Sequence, residues 1–277
     1  MFRSALVALD GSAYSESAAD LAIGWAGRYG VCLLGLGILD APTIERAEPV
    51  PLGAGAYKKA RDEARLANAH RWVADFLADF RARGQAAGVA VEVLEDIGDP
   101  AARILREAQR CDAVILGRET HFHFETQERS DETLAQVLRG SPRPVVVVPR
   151  SVPEGQGVLL AYGGGREGAR TLQTFQLLKL AAGEAIEVVT IHRDGAEAEA
   201  LVNLAGEYLA AQGAPHRLHP IVSVAPPADV LLERVRFARP RLLVMGAQGH
   251  HPLRDLFGTS VTRAVMRACP APVFIGA

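Results

Sequence analysis

The sequence predicts an α/β protein made of two tandem, open, parallel-sheet domains. Three observations predict it. Short apolar runs alternate with segments carrying apolar residues at three-and-four spacing, as buried parallel strands and amphipathic crossover helices do. The order of these segments runs twice along the chain. The copies meet at residues 151–157, a polar join with Pro153, Gly155 and Gly157. The spacing therefore gives domains over 1–150 and 157–277.

Taken in order, residues 5–9 form a first strand that ends in Asp10, Gly11 and Ser12. A helix follows through Ala18, Ala19, Ala22, Ile23 and Ala26. Residues 32–39 are the second strand, 41–56 a loop marked by Pro and Gly, and 58–83 a long amphipathic helix. Strand 89–97 leads through Gly98, Asp99 and Pro100 into a helix carrying Ile104 and Leu105. Strand 113–116 stops at Gly117, 134–138 is helical, and the β-branched run 144–148 closes the copy. The second copy places strands at 158–162, 186–191 and 216–222 and helices at 167–180, 196–211 and 228–237. It lacks the 41–56 insertion. The tie extends to residues: Ala113-Val-Ile-Leu-Gly117 answers Leu242-Leu-Val-Met-Gly246, and Arg143-Pro-Val-Val-Val147 answers Ala271-Pro-Val-Phe-Ile275.

Right-handed crossovers put helices on both faces of each sheet, and ligands bind beyond the carboxyl ends of such strands. Asp10, Gly117, Gly163 and Gly246 thus stand at cleft mouths. The stretch 242–275 is the most informative. Its strand ends at Gly246, Gly249 lets backbone N–H groups approach a ligand, and Thr259 and Ser260 offer hydroxyls where a helix through Val261, Val265 and Met266 begins. N–H groups and hydroxyls at a helix start suit phosphate. Pro270 and Pro272 stop that helix before a last strand, 273–275.

At these residues the chain resembles the universal stress proteins, whose nucleotide signature is Gly-x-x-Gly, nine residues, then Gly-Ser or Gly-Thr. Counted from Gly249, Thr259 stands where the third glycine belongs, with Gly258 one place early and Ser260 in register. The resemblance covers nearly the whole chain as a tandem pair. It implies adenine-nucleotide hydrolase-like, Rossmann-like sheets of four parallel strands plus an edge strand, a stress-response role, and ATP, with or without magnesium, as ligand. Single-domain members pair through the last strand, so the copies are expected to dock there as an internal pseudo-dimer; further pairing into a homodimer stays open.

Each copy departs from the signature differently. In the first, Val7-Ala-Leu-Asp-Gly-Ser12 matches the family's strand motif, whose aspartate lies by adenine and ribose. However, Arg118, Glu119 and Thr120 replace the second glycine, and Glu125, Glu128, Asp131 and Glu132 lie where phosphates would. Asp10 and Ser12 also suit plain N-cap roles for the following helix. In the second copy, Ala161-Tyr-Gly-Gly-Gly165 lacks the aspartate while the phosphate stretch is nearly intact. The expected site therefore places adenine near Tyr162, Gly163, Ile191 and Met245, with phosphates near Gly246, Gly249, Thr259, Ser260 and Val261. A tight turn holding no ligand is the plainer reading of Gly246 and Gly249. His121, His123, Glu119 and Glu125 lack metal-ligand spacing, and Tyr162-Gly-Gly-Gly-Arg166 lacks the Asp and Ser of adenylating loops.

Composition narrows the function classes. Of 277 residues, 49% are hydrophobic, enough for two cores. The net charge of -2 leaves no basic footprint for nucleic acid or an anionic membrane. No apolar run spans a bilayer, and Asp10 interrupts the N-terminal run too early for a signal peptide, so the chain is expected to be cytoplasmic. Three cysteines without Cys-x-x-Cys spacing read as buried thiols. Nothing pairs a nucleophile with a base. Binding and switching by ATP is the leading reading; a nucleotide-free adaptor or carrier is the alternative. A slow ATPase, with His250 or His251 activating water, is the third.

Overall fold

The computed structural model describes residues 2–46, 48–49, 51, 54–123, 131–181, 183–246 and 260–276, with the Ser260 side chain excepted. It is a mixed α/β fold with mostly parallel strands, and contacts divide it into two compact units. One unit is Arg3–Gly140; the other is Ser141–Ala277 with the first two residues.

In the Arg3–Gly140 unit, β1 (Ser4–Leu9) pairs in parallel with β2 (Cys32–Leu39) on one side and β4 (Ala113–Gly117) on the other. Beyond β2 lies β3 (Val91–Ile97), also parallel. β1 and β4 are almost wholly buried, as their unbroken apolar sequences require. Helix α1 (Ala13–Tyr29) starts at Ser12, whose side chain accepts the Ser15 N–H, and ends at Gly30 in the left-handed conformation. The segment expected as a loop contains a helical turn, α2 (Ala41–Ile44). Asp40 accepts the Thr43 N–H, and Pro42 occupies the first turn.

Helix α3 (Gly55–Ala86) lies on β2, and glycine spacing explains why it comes close. A Cβ added at Gly35 would stand 2.6 Å from Phe80 Cδ1, and one at Gly37 would stand 2.7 Å from Val73 Cγ1. Alternate residues of β2 therefore leave a trough that the core face of α3 fills. α4 (Pro100–Ala108), capped by Asp99, and α5 (Thr133–Gly140) complete the unit.

In the other unit, β6 (Val158–Ala161), β7 (Ile186–His192) and β8 (His216–Val222) run parallel in that order. β9 (Leu242–Gly246) flanks β6 and β10 (Val273–Gly276) flanks β9, both parallel. β5 (Val145–Val148) pairs antiparallel with β10, Val145 opposite Ile275 and Val147 opposite Val273. The last strands of the two copies therefore meet, as expected. By sequence β5 closes the first copy, while its contacts group it with the second. α6 (Gly165–Leu178), α7 (Gly195–Ala211), α8 (Pro227–Ala238) and α9 (Ser260–Ala268) complete this unit. Among the described residues no helix is long and apolar enough to cross a membrane.

Cys111 is buried as expected, but Cys32 is half-exposed because it opens β2 rather than lying within it. Burial pushes both thiols up, away from reactive thiolate.

Candidate functional site

In the second unit, β7, β6 and β9 are consecutive neighbours running the same way, so their carboxyl ends open on one mouth. Ala161 is level with Val189 and Met245. Tyr162, the next residue, donates its N–H to the Val189 carbonyl at 2.9 Å. Its own carbonyl accepts the Thr190 hydroxyl at 2.8 Å. Thr190 is 1% exposed and was not singled out from sequence, although a hydroxyl inside an apolar strand is the signal that marks it. The Tyr162 ring is turned inward: a Cβ on Gly168 of α6 would lie 3.4 Å from its Cε2. Burial raises the phenol above its ordinary value, so it stays neutral.

The chain then turns through glycines that only glycine tolerates well. Gly164 has φ 73° and ψ -164°, and Gly165 has φ 71°. α6 starts on them without a side-chain cap, so its first N–H groups have no side-chain acceptor from the capping position. A Cβ at Gly246 would lie 3.6 Å from the Glu167 carbonyl, which puts the end of β9 against the first turn of α6. Gly164 and Gly165, absent from the expected set, belong to this mouth by geometry.

Of the expected residues, the structure brings Tyr162, Gly163, Met245 and Gly246 together and sets Ile191 near the end of the adjoining β7. Tyr162 and Met245 are buried, Ile191 is half-buried and Gly163 exposed. Ser260 and Val261 open α9, which packs on α8. Gly249 and Thr259 lie outside the described residues, as do Gly258, His250 and His251.

The mouth of the Arg3–Gly140 unit is different. Asp10, 6% exposed, accepts the Ser12 N–H at 2.9 Å and the His121 N–H at 2.6 Å. The helix cap is Ser12, so the N-cap reading holds for it and not for Asp10. Phe122, fully buried, donates its N–H to Asp131 at 3.1 Å. His123 Nδ1 sits 2.5 Å from Asp40 Oδ2, and its Nε2 lies 3.7 Å from Asp131 Oδ1. Hydrogen bonding to Asp40 holds the imidazole above its ordinary 6.5, opposed by partial burial and aided by Asp131 and Asp99. Asp131, one of the acids expected where phosphates would lie, accepts the Phe122 and Thr133 N–H groups. Glu119 is exposed, Thr120 is buried, and Glu125 and Glu128 lie outside the described residues. Asp40 had gone unnoticed; like Asp10, it is an acidic residue closing an apolar strand.

Comparison with known proteins agrees with this double architecture. The universal stress protein family matches twice, over residues 1–149 and 158–275. A universal stress protein of Synechocystis is 26% identical over 162 residues, covering 58% of this chain and 56% of that relative, so the match spans little more than half of its length. A universal stress protein from Archaeoglobus fulgidus is similar in structure, with a TM-score of 0.70 at 19% identity over 99% of this chain and 97% of that one. Another protein from Archaeoglobus fulgidus, solved with dAMP, covers 44% of this chain and 98% of its own at 20% identity and a TM-score of 0.36. With both copies matched across almost the whole sequence, the chain belongs to the universal stress protein family, as a tandem member.

Proposed function

We propose that the second domain, residues 157–277, binds adenine nucleotide, ATP with or without magnesium, and that the chain acts in the cytoplasm by binding rather than turnover. The first domain, residues 1–150, takes no nucleotide. The observation that carries this reading is the asymmetry of the two mouths. In the second, Gly164 and Gly165 open α6 without a side-chain cap and Gly246 lies against its first turn, so backbone donors and close approach serve an anion. In the first, the corresponding end of β1 carries Asp10, already engaged by the chain's own His121 N–H. Half-buried Ile191 and the strand-end backbone at Gly163 supply a wall for the base. Gly249, Thr259, Ser260 and Val261 complete the phosphate side.

Native mass spectrometry of freshly purified full-length protein should show one nucleotide mass increment per chain, and calorimetric titration of stripped protein with ATP should saturate at one equivalent. Ser260→Ala should remove a charge-assisted hydrogen bond, a loss of about 1.5–3 kcal/mol. Gly249→Leu should weaken binding further by blocking backbone approach. Wild-type affinity in both folded variants would move the site elsewhere. A wild type with no saturable binding would favour a nucleotide-free adaptor.

A further inference from the structure

We propose that residues His121–His123 are a built-in occupant of the first sheet's mouth, latched by His123 onto Asp40 and Asp131, and that the latch loosens as pH rises. The proposal goes beyond nucleotide binding by the second domain and does not depend on it.

Three consecutive residues are tied to three separate carboxylates. The His121 N–H donates to Asp10 just beyond β1, the Phe122 N–H to Asp131 ahead of α5, and the His123 ring to Asp40 just beyond β2. Between these ties the Phe122 side chain is wholly buried. The segment following β4 is therefore anchored across the ends of β1 and β2 by side chains far away in sequence.

The His123 geometry selects the charged ring. Neutral imidazole has one N–H and one bare nitrogen, yet both nitrogens here face a carboxylate, Nδ1 toward Asp40 and Nε2 toward Asp131. Both side chains of these acids are 2% exposed, which shields the pairing from solvent. Asp99, capping α4, adds a third negative charge from that side. Each acid is also held by backbone, Asp40 Oδ1 by the Thr43 N–H and Asp131 Oδ1 by the Thr133 N–H. The acids are thus fixed in position around the imidazole.

A histidine whose folded pKa lies above its unfolded value stabilises the folded form fully below the unfolded value. That contribution disappears as pH rises through the folded pKa. Above it, neutral His123 can still donate from Nδ1 to Asp40 but loses the charge that strengthens that bond and attracts Asp131, so the segment opens more often. Opening frees Asp10 Oδ2 and the end of β1.

The test uses the full-length wild type. NMR titration should find His123 above 6.5. Amide exchange corrected for intrinsic chemistry should show His121 and Phe122 protection falling about fivefold between roughly pH 5 and pH 9, since charge-assisted bonds are about twice as strong as neutral ones. In His123→Gln the step at these two amides should vanish, and in Asp40→Asn the imidazole should titrate lower. Titration of wild-type His123 at or below 6.5 would overturn the proposal without any variant. So would a protection step of equal size in folded His123→Gln.

Discussion

Thr190 directs its hydroxyl at the Tyr162 carbonyl from inside a strand where every other consideration favours an apolar side chain. Replacing it with valine keeps the volume and leaves a buried carbonyl short of a donor, which costs about 1–2 kcal/mol. Urea denaturation of Thr190→Val should show that loss with an unchanged m-value. The loss should be accompanied by weaker nucleotide binding at the proposed site, because Tyr162 leads directly into Gly163. Gly164→Ala is a harsher change: its φ and ψ lie where side chains other than glycine's are strained by about 1–3 kcal/mol. At this scale the sequence was readable wherever chemistry is local. Ser12 as a cap and Gly246 as a strand end followed from neighbours a few residues away. The Asp10–His121 and Asp40–His123 ties join residues 111 and 83 positions apart, and no periodicity reports a partner at that distance.

Among elements, β2 and α3 show how a strand's small residues decide a helix's position. Gly35→Ala would set a methyl 2.6 Å from Phe80 Cδ1 and 2.8 Å from Cε1, closer than packed atoms allow. Overpacking of this kind costs about 1–3 kcal/mol. Phe80→Leu in the same chain should return part of it, so a double-mutant cycle by chemical denaturation should give a coupling energy clearly different from zero. The inner strands were legible because burial on both faces forces continuous apolar runs, and the long helices because their core faces repeat at helical spacing. α2 was not, since a four-residue turn has no room for a period and depends on the Asp40 side chain capping it. The pairing of β5 with β10 was anticipated from the family resemblance, whose single-domain members pair through this strand, together with the apolar runs in matching positions.

For the molecule as a whole, the decisive feature is that β5 ends the first copy in sequence while pairing with β10 of the second. A fragment of residues 1–150 keeps β5 but loses β10, leaving Val145–Val148 with an uncovered line of N–H and C=O groups. Sedimentation should find this fragment self-associating. A monomeric 1–150 fragment would show that the pairing contributes little. The same feature bears on synthesis. A ribosome that has just released Val148 must add roughly 125 more residues before Val273 appears, about 6–25 s at ordinary elongation rates. Throughout that interval a sticky valine strand waits beside other nascent chains for a partner not yet made. Neighbouring ribosomes on one message would offer it identical strands, so slow translation of the second half should favour entangled dimers over correctly closed single chains.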